Sequence, residues 1–168
     1  PLYSSAASDV YKRQKQAEKA ISKIRSGKIQ KVVLARDIMA QLPDGFDIRT
    51  PLVSLAKKYP SCWVYQVAGN FGASPELLVR VSHGQVSARV LAGTTSRGEN
   101  SEADVAKSNA LAASEKNLQE HRFAVESMVD ALTPFCSTVD TDEKPFSLAL
   151  PDLWHLASDV YGKLKNNI

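Results

Sequence analysis

The sequence contains little that would hold together a small disulfide-bonded or metal-bound scaffold. It has two cysteines, Cys62 and Cys136, and they do not form a CxxC pair. This usage is typical of a reducing compartment and argues against a disulfide framework or a zinc site. We therefore expect a cytoplasmic protein that depends on a hydrophobic core.

Long apolar runs and strong charge are also missing. A transmembrane helix needs about 18 or more consecutive apolar residues, and no such stretch occurs. The net charge is only +3, and the basic cluster from Lys12 to Lys31 lacks the interleaved aromatic residues that would stack on bases. We therefore expect neither a membrane nor a nucleic-acid partner. A hydrophobic content of 43% is ordinary for a globular domain.

Helical and strand-like patterns come in blocks. Helical spacing runs from Lys15 to Gly27 and from Ser101 to Leu132, and Thr50-Pro51 is typical of a helix start. The long segment has one apolar stripe, formed by Leu118, Val125, Met128, Val129 and Leu132. β-rich runs are predicted at Ile29–Leu42, Cys62–Ala68, Phe71–Val81 with a break at Ser74-Pro75, Gln85–Leu91, Cys136–Asp140 and Ser147–Leu150.

The connections between these runs favour an α+β fold. His83-Gly84 predicts a tight hairpin turn, and Gly93–Asn100 is typical of a polar loop. Trp154–Tyr161 is compatible with either a helix or a strand. Because neighbouring strands share short turns, we expect a largely antiparallel sheet flanked by helices.

Four local patterns carry side chains suited to chemistry. Lys31 starts an apolar run, and a lysine held away from water can act as a general base. Glu76 stands between a small-residue turn and an apolar run, where a carboxyl group can act as a general acid if it is buried. The segment Gly93–Gly98 offers glycines, hydroxyl groups and Arg97 for a carboxylate.

The fourth pattern is the charged helical segment around Glu120. Carboxylates are the usual protein ligands of Mg²⁺. The ion needs only one or two of them, because it retains several bound water molecules. His121 has no second histidine four residues on, so we do not predict it to be a ligand. Each of the four patterns, taken alone, is more typical of polar residues that face water.

Taken in order, the motifs resemble the chorismate-utilising enzymes, which include isochorismate, salicylate, anthranilate and aminodeoxychorismate synthases. The matching motifs are KVVLAR (31–36), GASPELL (72–78), LAGT (91–94) followed by Arg97-Gly98, SEKNLQEHR (114–122) and LWHLASDVYG (153–162). The resemblance covers roughly residues 15–168. Thr95-Ser96 departs from the Arg-Pro that often follows LAGT in the family.

Two positions make the sequence similar to the isochorismate synthases in particular. Lys31 stands where the ammonia-using members carry glutamine, and Ala92 stands where aminodeoxychorismate synthases often carry a nucleophilic lysine. Salicylate synthase is the first alternative, and anthranilate synthase is a weaker one. An inactive, truncated chorismate-binding module is the alternative from another class. The resemblance implies no obligatory glutaminase subunit.

The resemblance also implies roles for particular residues. Lys31 would activate a water that attacks C2 of chorismate, and Glu76 would protonate the departing C4 hydroxyl. Mg²⁺, held in part by Glu120, would bind the ring carboxylate. The residues expected to line the substrate pocket are Gly93, Thr94 and His155.

The two ends of the chain carry their own expectations. Asp9–Gln14 resembles a translated sequencing adapter, so we expect residues 1–14 to be a leader foreign to the fold. Residues 15–168 are expected to be the central portion of a chorismate-binding catalytic domain, truncated at both ends. A second metal carboxylate would then lie beyond Ile168, and this piece alone would turn over little substrate.

Overall fold

The computed structural model describes residues 2–35, 39 and 41–165. The chain divides into two compact units, Pro1–Gly45 and Phe46–Ile168, which we describe separately. Within the described ranges the order of elements is α1 (Leu2–Arg25), α2 (Arg49–Lys58), β1 (Trp63–Val67), β2 (Asn70–Ser74), β3 (Leu77–Ser82), β4 (Gln85–Ser96), α3 (Ser101–Ala113), α4 (Glu115–Leu132), β5 (Cys136–Thr141), β6 (Phe146–Ala149) and β7 (Leu153–Leu164). The predicted α+β class is confirmed.

Helix α1 dominates the first unit and ends where the sequence predicts. Gly27 has a φ of +70°, its N–H donates to the Ile24 carbonyl, and the Lys28 N–H donates to the Lys23 carbonyl. This pair of bonds is the Schellman motif, in which a left-handed glycine satisfies the last carbonyls of a helix. The predicted start at Lys15 is wrong, because the helix already begins at Leu2. No glycine or proline interrupts residues 2–25, so nothing in the backbone stops the helix from extending.

The strand predicted at Ile29–Leu42 is not present in the described part of that segment. Residues 31–35, 39 and 41–43 have no regular secondary structure, while Arg36 and Ile38 lie outside the described residues. A strand needs a neighbour to satisfy its backbone groups. The described part of this unit contains a helix but no strand with which the segment could pair, so its apolar character does not produce a sheet.

The second unit begins with α2, which contacts β1 and β2. The prediction that the Thr50 hydroxyl caps this helix is wrong, because the helix already begins at Arg49. Asp47 interacts with its first turn instead. The Asp47 Oδ1 accepts a hydrogen bond of 2.9 Å from the Arg49 N–H. Pro51 falls in the first turn, where its missing N–H removes no helical hydrogen bond.

The seven strands form two antiparallel sheets. Strands β1 and β2 make a two-stranded hairpin, and a five-stranded sheet has the order β3-β4-β7-β5, with β6 also paired to β7. Strand β7 therefore has β4 on one side and both β5 and β6 on the other. This central position explains why the segment at Trp154–Tyr161, which was ambiguous in the sequence, is a strand.

Helix α4 covers one face of the larger sheet. The buried residues of this core are Ala88 and Val90 from β4 and Val160 from β7, and the residues packed against them are Ala124, Val125, Met128, Val129, Leu132 and Val139. Four of the five predicted stripe residues are therefore confirmed in this cluster. The other strand predictions are confirmed to within a few residues, but β4 runs on to Ser96 through half of the predicted polar loop.

In the part of the chain that the structure describes, we find no helix with the length and apolar character needed to cross a membrane.

Candidate active site

Strand β4 contains a β-bulge at the LAGT segment. Leu91 pairs with Ala157 and Thr94 pairs with His155, so two residues of β4 lie opposite the single residue Leu156 of β7. Bulges of this kind redirect side chains and are over-represented next to active sites. We call residues 91–94 the β4 bulge.

Gly93 can occupy the β4 bulge because it has no side chain. Its φ is +85°, a left-handed conformation that costs little only for glycine. A Cβ atom at this position would lie 3.1 Å from the Asn117 Cβ and 3.3 Å from the Leu156 Cδ1. The bulge is therefore pressed closely against the start of α4.

Thr94 and His155 form a side-chain pair beside the bulge. The Thr94 Oγ1 lies 2.8 Å from the His155 Nδ1, within hydrogen-bond distance. Ser158 bonds to α4, and side chains alternate along β7, so His155 and its partner Thr94 project from the face opposite α4. The structure thus brings together all three residues predicted to line a substrate pocket.

Glu76 reaches the same bulge from the turn before β3. Its Oε1 accepts a hydrogen bond from the Leu91 N–H at 3.4 Å, and its own N–H donates to the Ser74 Oγ at 3.3 Å. The side chain stays exposed to solvent. This exposure differs from the buried setting expected of a general acid, but the hydrogen bond to Leu91 places the carboxyl group beside the bulge.

Helix α4 approaches the bulge from the other side of the sheet. His121 is 2% exposed, its Nδ1 lies 3.1 Å from the Ala92 carbonyl oxygen, and its Nε2 lies 2.9 Å from the Ser158 Oγ. Glu120, the predicted metal ligand, is the preceding residue and is half-buried. The sequence predicts no ligand role for His121, and no local pattern indicates that its ring connects α4 to the bulge.

Arg97 does not lie free to meet a substrate carboxylate, which its position in the sequence had suggested. Its guanidinium group pairs with both carboxylate oxygens of Asp104 and stacks 4.6 Å from the centre of the Trp154 ring. The Asp104 carboxylate also accepts hydrogen bonds from the Gly98 N–H and the Trp154 Nε1. Arg97, followed by these further donors, holds the pKa of Asp104 well below its usual range. This network fixes the end of β4 to α3 and β7.

Lys31, the predicted general base, belongs to the first unit. It is half-buried in the irregular segment that follows α1. The site residues from Glu76 to His155 all belong to the second unit.

The described residues contain no group of three His, Cys, Asp or Glu side chains that could hold a metal ion. Glu120 therefore offers at most part of a site. That is compatible with Mg²⁺, which is commonly bound through one or two carboxylates while waters and substrate oxygens complete its shell.

A cleft of about 280 Å³ lies on the sheet face that carries His155. Pro75 and Leu77, the neighbours of Glu76, contribute to its wall together with Arg89 and Asp159. The Arg89 Nε and Nη2 donate to the two Asp159 oxygens at 2.6 and 2.7 Å, and this pairing lowers the pKa of Asp159. The sequence did not suggest this ion pair, because its members are 70 residues apart.

Comparison with known proteins gives one family. A family model described as chorismate binding enzyme matches residues 2–168. The isochorismate synthase DhbC of Bacillus subtilis is 29% identical over 160 residues, which are 89% of this chain and 40% of the relative. The isochorismate synthase EntC of Escherichia coli K12 is 33% identical over 140 residues, which are 80% of this chain and 36% of the relative.

The fold has solved counterparts. The crystal structure of DhbC from Bacillus anthracis matches with a TM-score of 0.65 at 33% identity, covering 73% of this chain and 35% of that chain. The chain thus spans about two fifths or less of the length of these relatives.

Proposed function

The chain belongs to the chorismate binding enzymes, and we propose on that basis that it forms the central part of the catalytic domain of an isochorismate synthase. In this reaction a water attacks C2 of chorismate, the ring double bonds shift, and the C4 hydroxyl leaves as water. The observation that carries the proposal is the convergence on the β4 bulge. Glu76 bonds to Leu91 there, and Thr94 bonds to His155.

Two side chains would share the proton transfers. Lys31 would take a proton from the attacking water, and Glu76 would give one to the departing hydroxyl, so the reaction changes no net charge. The position of Glu76 beside the bulge, next to the residues proposed to bind substrate, supports its role as the acid. General acid–base catalysis of this kind contributes about 10²- to 10⁴-fold to a rate.

Gly93, Thr94 and His155 would orient the substrate. Gly93 would act through its backbone, because its left-handed conformation forms the bulge that precedes Thr94. The hydrogen bond between Thr94 and the His155 Nδ1 fixes the imidazole ring, which leaves its Nε2 edge turned away from the threonine. Such a fixed ring and hydroxyl pair suits the carboxylates and hydroxyl of chorismate.

We also propose that Glu120 supplies one carboxylate oxygen to Mg²⁺. Bound Mg²⁺ would neutralise the ring carboxylate of the substrate. The half-buried position of Glu120, one residue before the His121 that bonds to the bulge, supports this assignment.

The product would enter menaquinone or catechol siderophore synthesis, and the protein would work in the cytoplasm. The low cysteine content and the absence of a CxxC pair support a reducing compartment. We expect the enzyme to use water without a glutaminase partner, because Lys31 stands where the ammonia-using relatives carry glutamine.

Product analysis tests the proposed reaction. The chain, alone and extended with whatever sequence its gene encodes beyond Ile168, is incubated with chorismate and Mg²⁺, with and without ammonium. We expect isochorismate from the extended protein, in amounts that ammonium does not change. Salicylate with pyruvate would instead identify a salicylate synthase, and an ammonium-dependent amino product would contradict the role of Lys31.

Substitutions then test the two proton-transfer residues. Lys31→Ala and Glu76→Gln should each lower kcat about 10²- to 10⁴-fold in the active protein. The matched control for the lysine is Lys28→Ala, which removes an exposed lysine three residues earlier and should leave kcat unchanged. Near-normal turnover of Lys31→Ala would refute the assignment of the base.

A further inference from the structure

His121 is a buried polar side chain that the proposed reaction does not use. It lies between α4 and the sheet, with 2% of its surface exposed. Burial of an imidazole ring is costly unless its nitrogens have hydrogen-bond partners. The Ala92 carbonyl and the Ser158 hydroxyl supply such partners, at 3.1 and 2.9 Å.

The chemistry of these partners determines where the ring hydrogen lies. A carbonyl oxygen can only accept a hydrogen bond, so the Nδ1 of His121 carries a hydrogen and donates it to Ala92. In the neutral ring the Nε2 then accepts from the Ser158 hydroxyl. The two partners belong to different strands, since Ala92 lies on β4 and Ser158 on β7.

The contact with Ala92 acts directly on the β4 bulge. The Ala92 carbonyl and the Gly93 N–H belong to one planar peptide group, so a hydrogen bond that holds the carbonyl also fixes the direction of the Gly93 N–H. Thr94, which pairs with His155, is the next residue. A rotation of this peptide plane would therefore displace both Gly93 and Thr94.

We infer that His121 is a positioning residue, whose Nδ1–H bond to Ala92 holds the Gly93–Thr94 segment in the orientation needed to bind substrate. This inference rests on the proposed function, because it assigns Gly93 and Thr94 to the substrate site. It concerns the Nδ1 side of the ring. The Nε2 bond to Ser158 would contribute to packing but not to the orientation of the bulge.

Two substitutions at His121 separate the sides of the ring. The amide N–H of asparagine can stand near the position of Nδ1, whereas the longer glutamine side chain reaches towards the position of Nε2. His121→Gln should lower kcat about 10- to 100-fold, in line with the loss of an orienting contact, and His121→Asn should recover most of it. Ser158→Ala is the matched control, since it removes the Nε2 partner and leaves the bond to Ala92.

Amide resonances give a readout that does not depend on activity. In ¹⁵N-labelled protein, His121→Gln should shift the Gly93 and Thr94 amide signals, while His121→Asn and Ser158→Ala should leave them near their parental positions. The thermal midpoint of each variant shows how much stability it has lost. Should His121→Gln fail to fold, His121→Leu, which has a similar bulk but no polar atom to donate to Ala92, takes its place in the same comparison.

A purely structural role would give a different result. His121→Gln and Ser158→Ala would then lower the thermal midpoint alike, with unchanged kcat for the folded protein and unmoved Gly93 and Thr94 signals, and this would overturn the inference. So would a His121→Asn variant that loses as much kcat as His121→Gln. If the extended protein makes no isochorismate, the proposed function fails, and the amide signals still decide whether His121 orients the bulge.

Discussion

Replacing Gly93 with alanine tests how closely the β4 bulge is packed. The glycine has a φ of +85°, and an alanine in this left-handed region is strained by about 1–2 kcal/mol. The added Cβ would also lie 3.1 Å from the Asn117 Cβ and 3.3 Å from the Leu156 Cδ1. Crowding of this kind in a packed site costs about 1–3 kcal/mol. We therefore expect Gly93→Ala to lower the free energy of unfolding by about 2–5 kcal/mol.

Gly84 provides a matched control for the backbone strain alone. Its φ of +73° is similar, but a Cβ atom there would meet nothing within 4 Å. Gly84→Ala should thus cost only about 1–2 kcal/mol. Urea unfolding followed by tryptophan fluorescence measures both variants, since Trp63 and Trp154 lie in the same unit as the two glycines.

The difference between the two variants isolates the contribution of packing. If Gly93→Ala and Gly84→Ala lose the same free energy, the bulge is not pressed against α4 and Leu156 as the structure describes. A larger loss at Gly84 would contradict the reasoning more strongly.

Two further predictions concern the surroundings of the bulge. The pKa of Asp104 is lowered in the folded protein, first by Arg97, so its stabilising effect is present above the unfolded pKa of about 4 and is lost as the pH falls through the folded value. Asp104→Asn should therefore lower the thermal midpoint at pH 7. The difference in thermal midpoint between the variant and the parent should become smaller below about pH 4, and a difference that is the same at pH 7 and below pH 4 would contradict this. Thr94→Val removes the hydrogen bond to His155 and should cost about 1 kcal/mol in urea unfolding, whereas Thr94→Ser keeps the hydroxyl and should behave like the parent. Equal losses in the two threonine variants would show that the bond contributes nothing.

The sequence predicts the helices and hairpins of the second unit well because their signals are local. The Asn100 side chain accepts from the Ala103 N–H, and the Ser114 side chain accepts from the Asn117 N–H at the point where the long helical region divides into α3 and α4. His83 and Gly84 both have positive φ values, as a tight hairpin turn requires. Each of these features depends on residues within a few positions of one another.

The errors arise where distant residues decide the outcome. The apolar residues at Ile29–Leu42 indicate a strand when they are considered alone, but the described part of this segment has no paired neighbour, which β structure also needs. The reverse happened at Gly93–Ser96, where glycine and hydroxyl groups indicate a loop but pairing with β7 produces a strand. Sequence patterns describe one strand at a time and do not identify its partner.

At the candidate site, too, the sequence identifies residues but does not predict which of them contact one another. The motifs identified Glu76, Thr94 and His155 as candidates, and the structure places them around the β4 bulge. The contacts of His121 could not have been found in this way, because its partners are 29 and 37 residues away. The pairing of Arg97 with Asp104 was missed because the start of α3 brings the aspartate back onto the end of β4.

The β4 bulge combines three features that are unfavourable in a regular β-sheet. A strand interior disfavours glycine, a left-handed residue interrupts the ladder, and a buried imidazole ring needs partners. All three occur within the contacts of residues 91–94, where the Gly93 conformation, the His121 bond to Ala92 and the close approach of Asn117 lie side by side. Natural sequences tolerate such local conflicts mainly at functional sites. The segment whose sequence predicts a loop is therefore also the segment whose geometry departs most from a regular strand, and it is where we propose the substrate site.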